Sequence, residues 1–169
     1  MKPIHPSKLD QAINDFLTNF PFFSDLDNDE LAILGEYIAI YQVQPNEVIV
    51  SEGDEAVRAY FVLDGELDVI REVVSGKTPG VKKVAIEKLG AGSSVGELNI
   101  IADMQSPVTV KSFTQSHVVG FSKEGFARIG EHHPRVGLKI GIALCKMLSK
   151  RLLTIPGQLA ECVLLDRDI

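Results

Sequence analysis

The feature that most constrains the fold is a change of hydrophobic period in the middle of the chain. Between Tyr37 and Ser122 the apolar residues fall into short β-rich runs, while the segments on either side repeat with the period of a helix. Turn groups rich in glycine separate these runs at near-regular spacing, which is typical of an antiparallel barrel or roll and not of a parallel sheet with alternating helices. The sequence therefore predicts a mainly β fold with flanking α-helices.

Two of the β-rich runs are joined through Asp64-Gly65. Asp-Gly between such runs is a strong signal for a type I′ hairpin, because both central residues of that turn need a positive φ. We therefore expect a hairpin at this dipeptide. The predicted strands are Glu47–Val50, Tyr60–Leu63, Leu67–Ile70, Val84–Leu89, Val108–Thr114 and His117–Ser122.

Two helices are predicted before this central region. An amphipathic helix is expected over Ser7–Phe20, because its apolar residues recur on one face. Asp27 or Asn28 can cap a second helix, since short polar side chains accept hydrogen bonds from the free N–H groups of a first helical turn.

Two more helices are predicted after the β-rich region. The first covers Lys123–His132, and the second is long and begins near Pro134, a residue that suits a first helical turn. Pro156-Gly157 predicts the end of the long helix. Its basic side chains are expected to form a solvated face, and they are Lys139, Lys146, Lys150 and Arg151.

Composition limits the classes of function. Apolar residues make up 45 % of the 169 residues, which excludes a disordered chain, and the net charge of −6 gives no basic footprint for nucleic acid. We expect no secretory signal and no membrane insertion, because no long apolar stretch is free of charges. The two cysteines, Cys145 and Cys162, lie close together near one end, so we expect packing residues in a reducing cytoplasm and not a disulfide framework.

Enzymatic motifs are present only in fragments. Gly92–Gly96 matches the G-x-S-x-G pattern around a nucleophilic serine, Ser94, but that motif belongs to a strand-to-helix turn of a parallel sheet, which the sequence does not predict. The adjacent His132 and His133 would point about 100° apart on a helix and could not chelate a metal together. We therefore expect neither an enzyme nor a metal site.

The segment Gly92–Thr109 is the best candidate for a binding site. A glycine-rich turn leads into a short apolar helix that begins at Gly96-Glu97-Leu98. Free N–H groups at a helix start favour an anion, so this turn could hold a phosphate. Glu97 could either accept a hydrogen bond from a sugar hydroxyl or merely stabilise the first turn.

Four motifs in order resemble the cyclic-nucleotide-binding domains of catabolite activators and of cAMP-dependent kinase regulatory subunits. They are Phe22–Leu26, Glu52-Gly53-Asp54, Tyr60–Leu67 and Gly92-x-x-Val95-Gly96-Glu97-Leu98, within a resemblance that runs from about Phe16 to about Leu153. The resemblance implies an antiparallel eight-stranded β-roll of the double-stranded β-helix or jelly-roll type. It also implies a phosphate-binding cassette that takes cAMP or cGMP, and a long C-terminal helix that moves when ligand binds.

The cassette departs from the family at the position of its phosphate-binding arginine, where this chain has Ser106. Pro107 and Val108 replace small residues, and Asn99 replaces the usual alanine. Loss of a charge-assisted pair worth about 1.5–3 kcal/mol would weaken phosphate binding about 10- to 150-fold, unless Arg58 or Lys111 takes the place of the arginine. The predicted ligand-binding residues are Val95, Gly96, Glu97, Leu98, Asn99, Ser106, Pro107, Val108 and Thr109.

We therefore expect one domain over residues 1–169, with N-terminal helices in 1–35, the β-roll in 36–122, the cassette-like segment in 92–109 and C-terminal helices in 123–169. The function expected is a non-enzymatic sensor with a degenerate cassette, which binds a cyclic nucleotide weakly, another small ligand, or none. A working cAMP or cGMP receptor with a substitute cation and a structural dimerisation or scaffold module remain the alternatives.

Two expectations concern partners. The residues after the long helix are too few for a helix-turn-helix, so direct DNA binding is not expected. A homodimer is expected through the long helix, while an unidentified protein partner stays open. The dimer face proposed from sequence has small and apolar residues at helical spacing, namely Gly137, Gly141, Cys145 and Leu148, and the alternative is that this face packs on the chain's own β-roll.

Overall fold

The computed structural model describes residues 1–4, 17–18, 20, 22–74 and 80–165, with the side chains of residues 74 and 155–165 left aside. The strands within these residues are β1 (Lys2–Ile4), β2 (Ile38–Val43), β3 (Val48–Val50), β4 (Arg58–Asp64), β5 (Leu67–Val74), β6 (Val81–Leu89), β7 (Ser94–Val95), β8 (Thr109–Ser112) and β9 (Ser116–Ser122). The helices are α1 (Asn28–Gly35), a 3₁₀ helix (Glu97–Ile100), α2 (Lys123–His132) and α3 (Pro134–Leu165).

The described strands form two antiparallel sheets, which confirms the predicted mainly β roll. One sheet has the order β1-β2-β9-β4-β7 and the other β3-β8-β5-β6. The described residues form nine strands, one more than the eight that the resemblance implies, and β1, β2 and β7 were not among the strand ranges predicted. β6 begins earlier and β8 is shorter than the sequence predicted.

Strand β4 separates two apolar cores. Its Phe61 packs with Phe23 and Ile140 in a core between the five-stranded sheet and the helices. Its Val62 packs with Val110 in a second core between the two sheets. Both faces of β4 are therefore covered, which explains why its apolar residues form a continuous run and do not alternate with polar ones.

Helix α1 begins as predicted. Asp27 is its N-cap, and the Asp27 side chain accepts a hydrogen bond from the backbone N–H of Glu30 at 3.0 Å, while the Glu30 carboxylate accepts one from the backbone N–H of Asp27 at 3.0 Å. This reciprocal capping box satisfies two donors that a helix start otherwise leaves free. Helix α2 also covers the predicted residues, with Ser122 as its N-cap.

The predicted hairpin at Asp64-Gly65 is wrong. β4 pairs with β7 and β9, whereas β5 pairs with β6 and β8, so this dipeptide carries the chain from one sheet to the other. Gly65 has the expected positive φ of 84°, but Asp64 does not share it. The Asp64 carboxylate instead accepts a hydrogen bond from the backbone N–H of His117 at 3.1 Å. An Asp-Gly signal reports a local turn and cannot report which strands pair.

The predicted end of the long helix at Pro156-Gly157 is also wrong, because α3 continues to Leu165. Proline removes one backbone hydrogen bond from a helix interior, yet a helix can continue past it with a local distortion. The predicted helix over Ser7–Phe20 lies mostly outside the described residues. Within its described part, Leu17 and Thr18 are helical.

Helix α3 is anchored along its first half. Val136, Ile140 and Leu144 are buried in the core on the helical side of the sheet. Three of the four basic side chains expected on a solvated face form ion pairs: Lys139 with Glu30, Lys146 with Asp25 and Arg151 with Glu97. These contacts hold α3 against the rest of the chain from its first turns to Arg151.

Candidate ligand-binding site

The cassette begins at Gly96, which the local packing requires. Gly96 has a φ of 79° and precedes the 3₁₀ helix as its N-cap. A Cβ at this position would lie 2.8 Å from both the Arg58 carbonyl oxygen and Nδ2 of Asn99. A side chain would therefore be strained by the backbone and would also collide with its neighbours.

A cavity of about 470 Å³ opens beside the cassette. Eight of the nine predicted ligand-binding residues line it. The ninth, Thr109, does not, and its Oγ1 accepts a hydrogen bond from the backbone N–H of Glu52 at 2.9 Å, which ties β8 to the loop after β3. The predicted residues that line the cavity are Val95, Gly96, Glu97, Leu98, Asn99, Ser106, Pro107 and Val108.

Ser106 is buried in the cavity wall, with 5 % of its surface exposed. Its hydroxyl donates a hydrogen bond to the Val108 carbonyl oxygen at 2.7 Å. The Ser106 backbone N–H donates to the Asp54 carbonyl at 2.9 Å, and its carbonyl accepts from the Gly53 N–H at 2.8 Å. The serine side chain is therefore committed to its own loop.

Glu97 is the most buried charged side chain among the described residues, with 2 % of its surface exposed. Its partner is Arg151 of α3, whose Nη1 donates to Oε2 of Glu97 at 3.0 Å. Arg151 Nη2 donates to the Ser94 carbonyl at 2.8 Å and lies 2.9 Å from Oε1 of Glu97. The second half of α3 is thus connected directly to the cassette.

The two cations that could replace the missing arginine differ in position. Arg58 lines the cavity, whereas Lys111 is not among the described residues that do so. Tyr60 also lines the cavity, and burial raises the pKa of its phenol above the usual value, although the nearby Arg58 acts in the opposite direction. The phenol is accordingly neutral at pH 7.

The serine and histidine motifs of the sequence do not form a catalytic or metal-binding arrangement within the described residues. Ser94 lies in the two-residue strand β7, and its Oγ is 3.5 Å from the Met147 sulfur. Residues 1–4, 17–18, 20, 22–74 and 80–165 contain no cluster of three or more His, Cys, Asp or Glu side chains that could hold a metal ion. No helix in this part of the chain combines the length and apolar character needed to span a membrane.

Comparison with known proteins decides the family. The model of the cyclic nucleotide-binding domain matches residues 41–133, which is more than half of the chain and includes the whole cassette. This chain belongs to the cyclic nucleotide-binding domain family. The family is one of ligand-sensing regulatory modules, and the predicted resemblance is confirmed.

One group of relatives is distantly similar to this chain. The lysophospholipase nte1 of Neosartorya fischeri is 29 % identical over 111 residues, which cover 66 % of this chain and 7 % of that protein. The chain therefore spans a small part of the curated relatives that it matches.

Solved structures agree on the fold. A cyclic nucleotide-binding domain from Methylobacillus flagellatus is 23 % identical with a TM-score of 0.74, over 89 % of this chain and 84 % of that one. The regulatory subunit of a cAMP-independent protein kinase A from Trypanosoma brucei, in a variant bound to cAMP, is 22 % identical with a TM-score of 0.65. The match covers 92 % of this chain and 54 % of that one.

The sequence does not predict that α3 lies beside this cavity. Leu148, Arg151 and Leu152 all line the cavity. The sequence predicts Arg151 to be one of four cations on a solvated face and Leu148 to be part of a dimer face, so neither is expected at the cavity. Spacing along one helix cannot show that a side chain reaches a loop more than fifty residues away.

Proposed function

We propose that this domain is a non-enzymatic ligand sensor whose cassette has lost the recognition of a cyclic phosphate and whose signal leaves through α3. The observation that carries the proposal is that the Ser106 side chain is uncharged and already hydrogen-bonded within its own loop. It supplies no charge, and its one hydroxyl proton is donated to the Val108 carbonyl. Pro107 has no backbone N–H, so it cannot donate to a phosphate oxygen either.

The description of the trypanosome relative supports this interpretation. The variant bound to cAMP has a glutamate changed to alanine and, seven and eight positions later, a threonine changed to arginine and a valine changed to alanine. Asn99, Ser106 and Pro107 are separated by the same intervals. In a protein described as cAMP-independent, changes with this spacing accompany cAMP binding, so the same three positions are the natural ones to change here.

The proposal is tested by titrating cAMP and cGMP into the native protein and into two variants by calorimetry. We expect weak binding by the native protein and binding about 10-fold tighter or more after Ser106→Arg, because the guanidinium restores a charge-assisted pair with the phosphate. The variant with Asn99→Ala, Ser106→Arg and Pro107→Ala should bind at least as tightly as the single one.

The matched control is Gln105→Arg, which adds the same charge at the neighbouring, exposed position outside the cavity lining. It should leave the affinity for cAMP nearly unchanged. Native protein that binds cAMP as tightly as the Ser106→Arg variant would contradict the degenerate cassette.

A working cyclic-nucleotide receptor is the second candidate, and the position of Arg58 in the cavity lining favours it. Arg58 is exposed, so water and salt would weaken its attraction for a phosphate. If Arg58 serves as the substitute cation, Arg58→Met should abolish cAMP binding by the native protein.

The scaffold alternative is disfavoured by the cavity, since a purely structural module has no use for an open space of about 470 Å³.

Signalling through α3 is proposed from the helical residues at the cavity. A ligand there would contact Leu148 and Leu152, while Arg151 holds the same helical turn to Glu97. Leu152 is 65 % exposed, so an apolar ligand that covers it would stabilise this part of α3 by the burial of apolar surface. Ligand occupancy and the position of the helix are then linked.

A homodimer through α3 is also proposed, but on a face different from the one expected. Gly137 packs within its own chain, because a Cβ there would lie 3.0 Å from the Gly130 Cα, and Leu148 faces the cavity. The face of α3 opposite the core includes four exposed apolar side chains at spacings of three, four and eight residues. These residues, Leu138, Ile142, Cys145 and Leu153, are called the outer stripe.

We infer that the domain is not an enzyme. The lysophospholipase relatives match over only 7 % of their length or less, so their activity cannot be transferred to this domain. Ser94, the one serine in a nucleophile-like motif, lies beside a methionine sulfur in a strand rather than at a strand-to-helix turn.

A further inference from the structure

The hairpin of β5 and β6 extends beyond the rest of its sheet. β5 pairs with β6 over Leu67–Val74 but with β8 only over Leu67–Ile70. Among the described residues, 71–74 and 81–84 therefore form a two-stranded ribbon, which we call the β5–β6 ribbon. Two strands on their own are only marginally stable in water, so a further strand beside them would stabilise the ribbon.

The two outer edges of the β5–β6 ribbon differ. On the β5 side, the backbone N–H of Glu72 donates to Oε2 of Glu52 at 2.9 Å. On the other side β6 is the last strand of its sheet, and no described residue hydrogen-bonds to the outer edge of Val81–Ala85. Such an edge presents a row of backbone donors and acceptors with which a strand from another chain can pair.

The side chains of this edge favour contact with a partner. Lysines alone would discourage pairing between chains, as they do on many natural edge strands. Here Lys82 and Lys83 are flanked by Val81 and Val84, which are 58 % and 43 % exposed. Covering these valines removes apolar surface from water, so the edge offers both apolar contact and positive charge.

The charge of the β5–β6 ribbon is opposite to that of the whole chain. Its described part has Arg71, Lys82 and Lys83 against the one carboxylate of Glu72, whereas the chain has a net charge of −6. Nζ of Lys83 lies 3.3 Å from Oε1 of Glu72, and Arg71 and Lys82 form no ion pair with a described residue. An acidic strand is therefore attracted to this edge.

The order of residues along the edge specifies the partner further. Side chains directly opposite each other on neighbouring strands pack together. A strand that reads apolar-acidic-acidic-apolar would place apolar residues against Val81 and Val84 and carboxylates against Lys82 and Lys83. Because the pattern reads the same in both directions, it suits either orientation of the added strand.

Other partners fit this edge less well. A second copy of β6 paired over the same four residues would place lysine opposite lysine. A nucleic acid or an anionic membrane would attract the cations, but its phosphates do not supply the alternating donors and acceptors that the free backbone groups require.

We propose that the outer edge of β6 binds an extended segment of another protein, which adds to the four-stranded sheet and reads apolar-acidic-acidic-apolar opposite Val81–Val84. Val81–Ala85 are outside the lining of the cavity beside the cassette, so this proposal is independent of the sensor function.

Three capped peptides test the proposal in titrations followed by nuclear magnetic resonance of the backbone amides of residues 81–85. The acidic peptide is acetyl-Thr-Val-Glu-Glu-Val-Thr-amide, the basic peptide has lysines in place of both glutamates, and the third is the acidic peptide with both valine nitrogens methylated. The native protein should bind the acidic peptide about 5- to 30-fold more tightly than the basic one, because two cross-strand pairs change from attraction to repulsion. Methylation should weaken binding at least about 5-fold, because it removes a main-chain donor whichever edge of the peptide faces β6.

A charge reversal provides the second test. Lys82→Glu with Lys83→Glu should make the basic peptide the tighter of the two. Lys2→Glu with Arg128→Glu makes the same change in net charge at exposed residues of β1 and α2, and this control should keep the native preference.

Equal binding of the acidic and basic peptides, or a preference unchanged by the charge reversal, would overturn the inference. So would equal binding of the methylated peptide, which would reduce the edge to a charged patch. The absence of amide shifts with every peptide would overturn it as well. If phosphatidylserine vesicles or duplex DNA then shifted the amides of residues 81–85, the partner would be an anionic surface instead.

Discussion

At the scale of single residues, two glycines with nearly the same backbone conformation carry different constraints. Gly53 and Gly65 have φ values of 86° and 84°. A Cβ on Gly53 would meet no atom within 4 Å, whereas one on Gly65 would lie 2.2 Å from Oγ of Ser116 and 2.7 Å from the Gln115 carbonyl. Gly65 is therefore required both by its φ and by the close approach of strand β9.

This difference predicts the outcome of a matched pair of substitutions. Gly53→Ala should lower the free energy of unfolding by about 1–2 kcal/mol, the cost of a positive φ alone. Gly65→Ala should cost about 1–3 kcal/mol more, because the contact with Ser116 forces a shift in a packed region. Denaturant unfolding of both variants measures the difference, and equal losses would mean that β9 does not approach this turn closely.

The binding site shows how far single residues can be predicted from sequence. The order and spacing of the motifs located Ser106 in the cavity wall, because the cassette is one continuous segment whose geometry is local. They did not locate Arg151, whose role depends on where a helix formed by residues 134–165 passes the roll. Contacts between distant segments are fixed by tertiary packing, and local patterns do not record them.

At the scale of elements, Glu30 joins the start of α1 to α3. Its carboxylate accepts from the Asp27 N–H and pairs with Lys139 and Arg135. Chiefly the hydrogen bond from Lys139, and then that from Asp27, hold the pKa of Glu30 below its usual value. A carboxylate with a lowered pKa in the folded state stabilises the protein above its unfolded pKa, and this stabilisation is lost as the pH falls through the folded pKa.

The substitution Glu30→Gln should therefore destabilise the protein most at neutral pH. We expect a loss of about 1–2 kcal/mol at pH 7 that shrinks as the pH is lowered from about 5 toward about 3, where the native Glu30 also becomes neutral. Thermal or denaturant unfolding across this range measures it. Glu131→Gln, at an exposed site in α2, is the control and should have little effect; a Glu30→Gln loss independent of pH would contradict the account.

Some helices and turns were predicted correctly from the sequence, and others were not. The capping box of α1 and the bounds of α2 follow from local chemistry, and the structure confirms both. The Asp64-Gly65 hairpin failed because a turn signal does not specify which sheet the next strand joins. The end of α3 at Pro156 failed because a helix can pass a proline when only one backbone hydrogen bond is lost.

At the scale of the whole molecule, the outer stripe of α3 determines assembly in our account. Leu138 and Ile142 are 65 % and 45 % exposed, and apolar side chains four residues apart on one helix face suit contact with a second helix. A two-fold interface would bring each stripe against its own copy. The single-domain organisation over residues 1–169 stays a prediction.

We expect the double substitution Leu138→Glu and Ile142→Glu to convert dimers into monomers without unfolding the roll, because like charges would face each other across the axis. Light scattering reports the mass and circular dichroism the fold. Val81→Glu with Val84→Glu, at exposed valines of β6, is the control and should remain dimeric. Native protein that is monomeric at every concentration tested would refute the dimer.

The central claim is that the cassette and the second half of α3 respond to ligand as one unit. Hydrogen exchange of the variant with Asn99→Ala, Ser106→Arg and Pro107→Ala, measured with and without cAMP, tests it most directly. The account predicts slower exchange both in residues 94–109 and in residues 145–154, and loss of the helical part of this effect when Leu148→Ala and Arg151→Met are added. Protection by cAMP that is confined to residues 94–109 would contradict it.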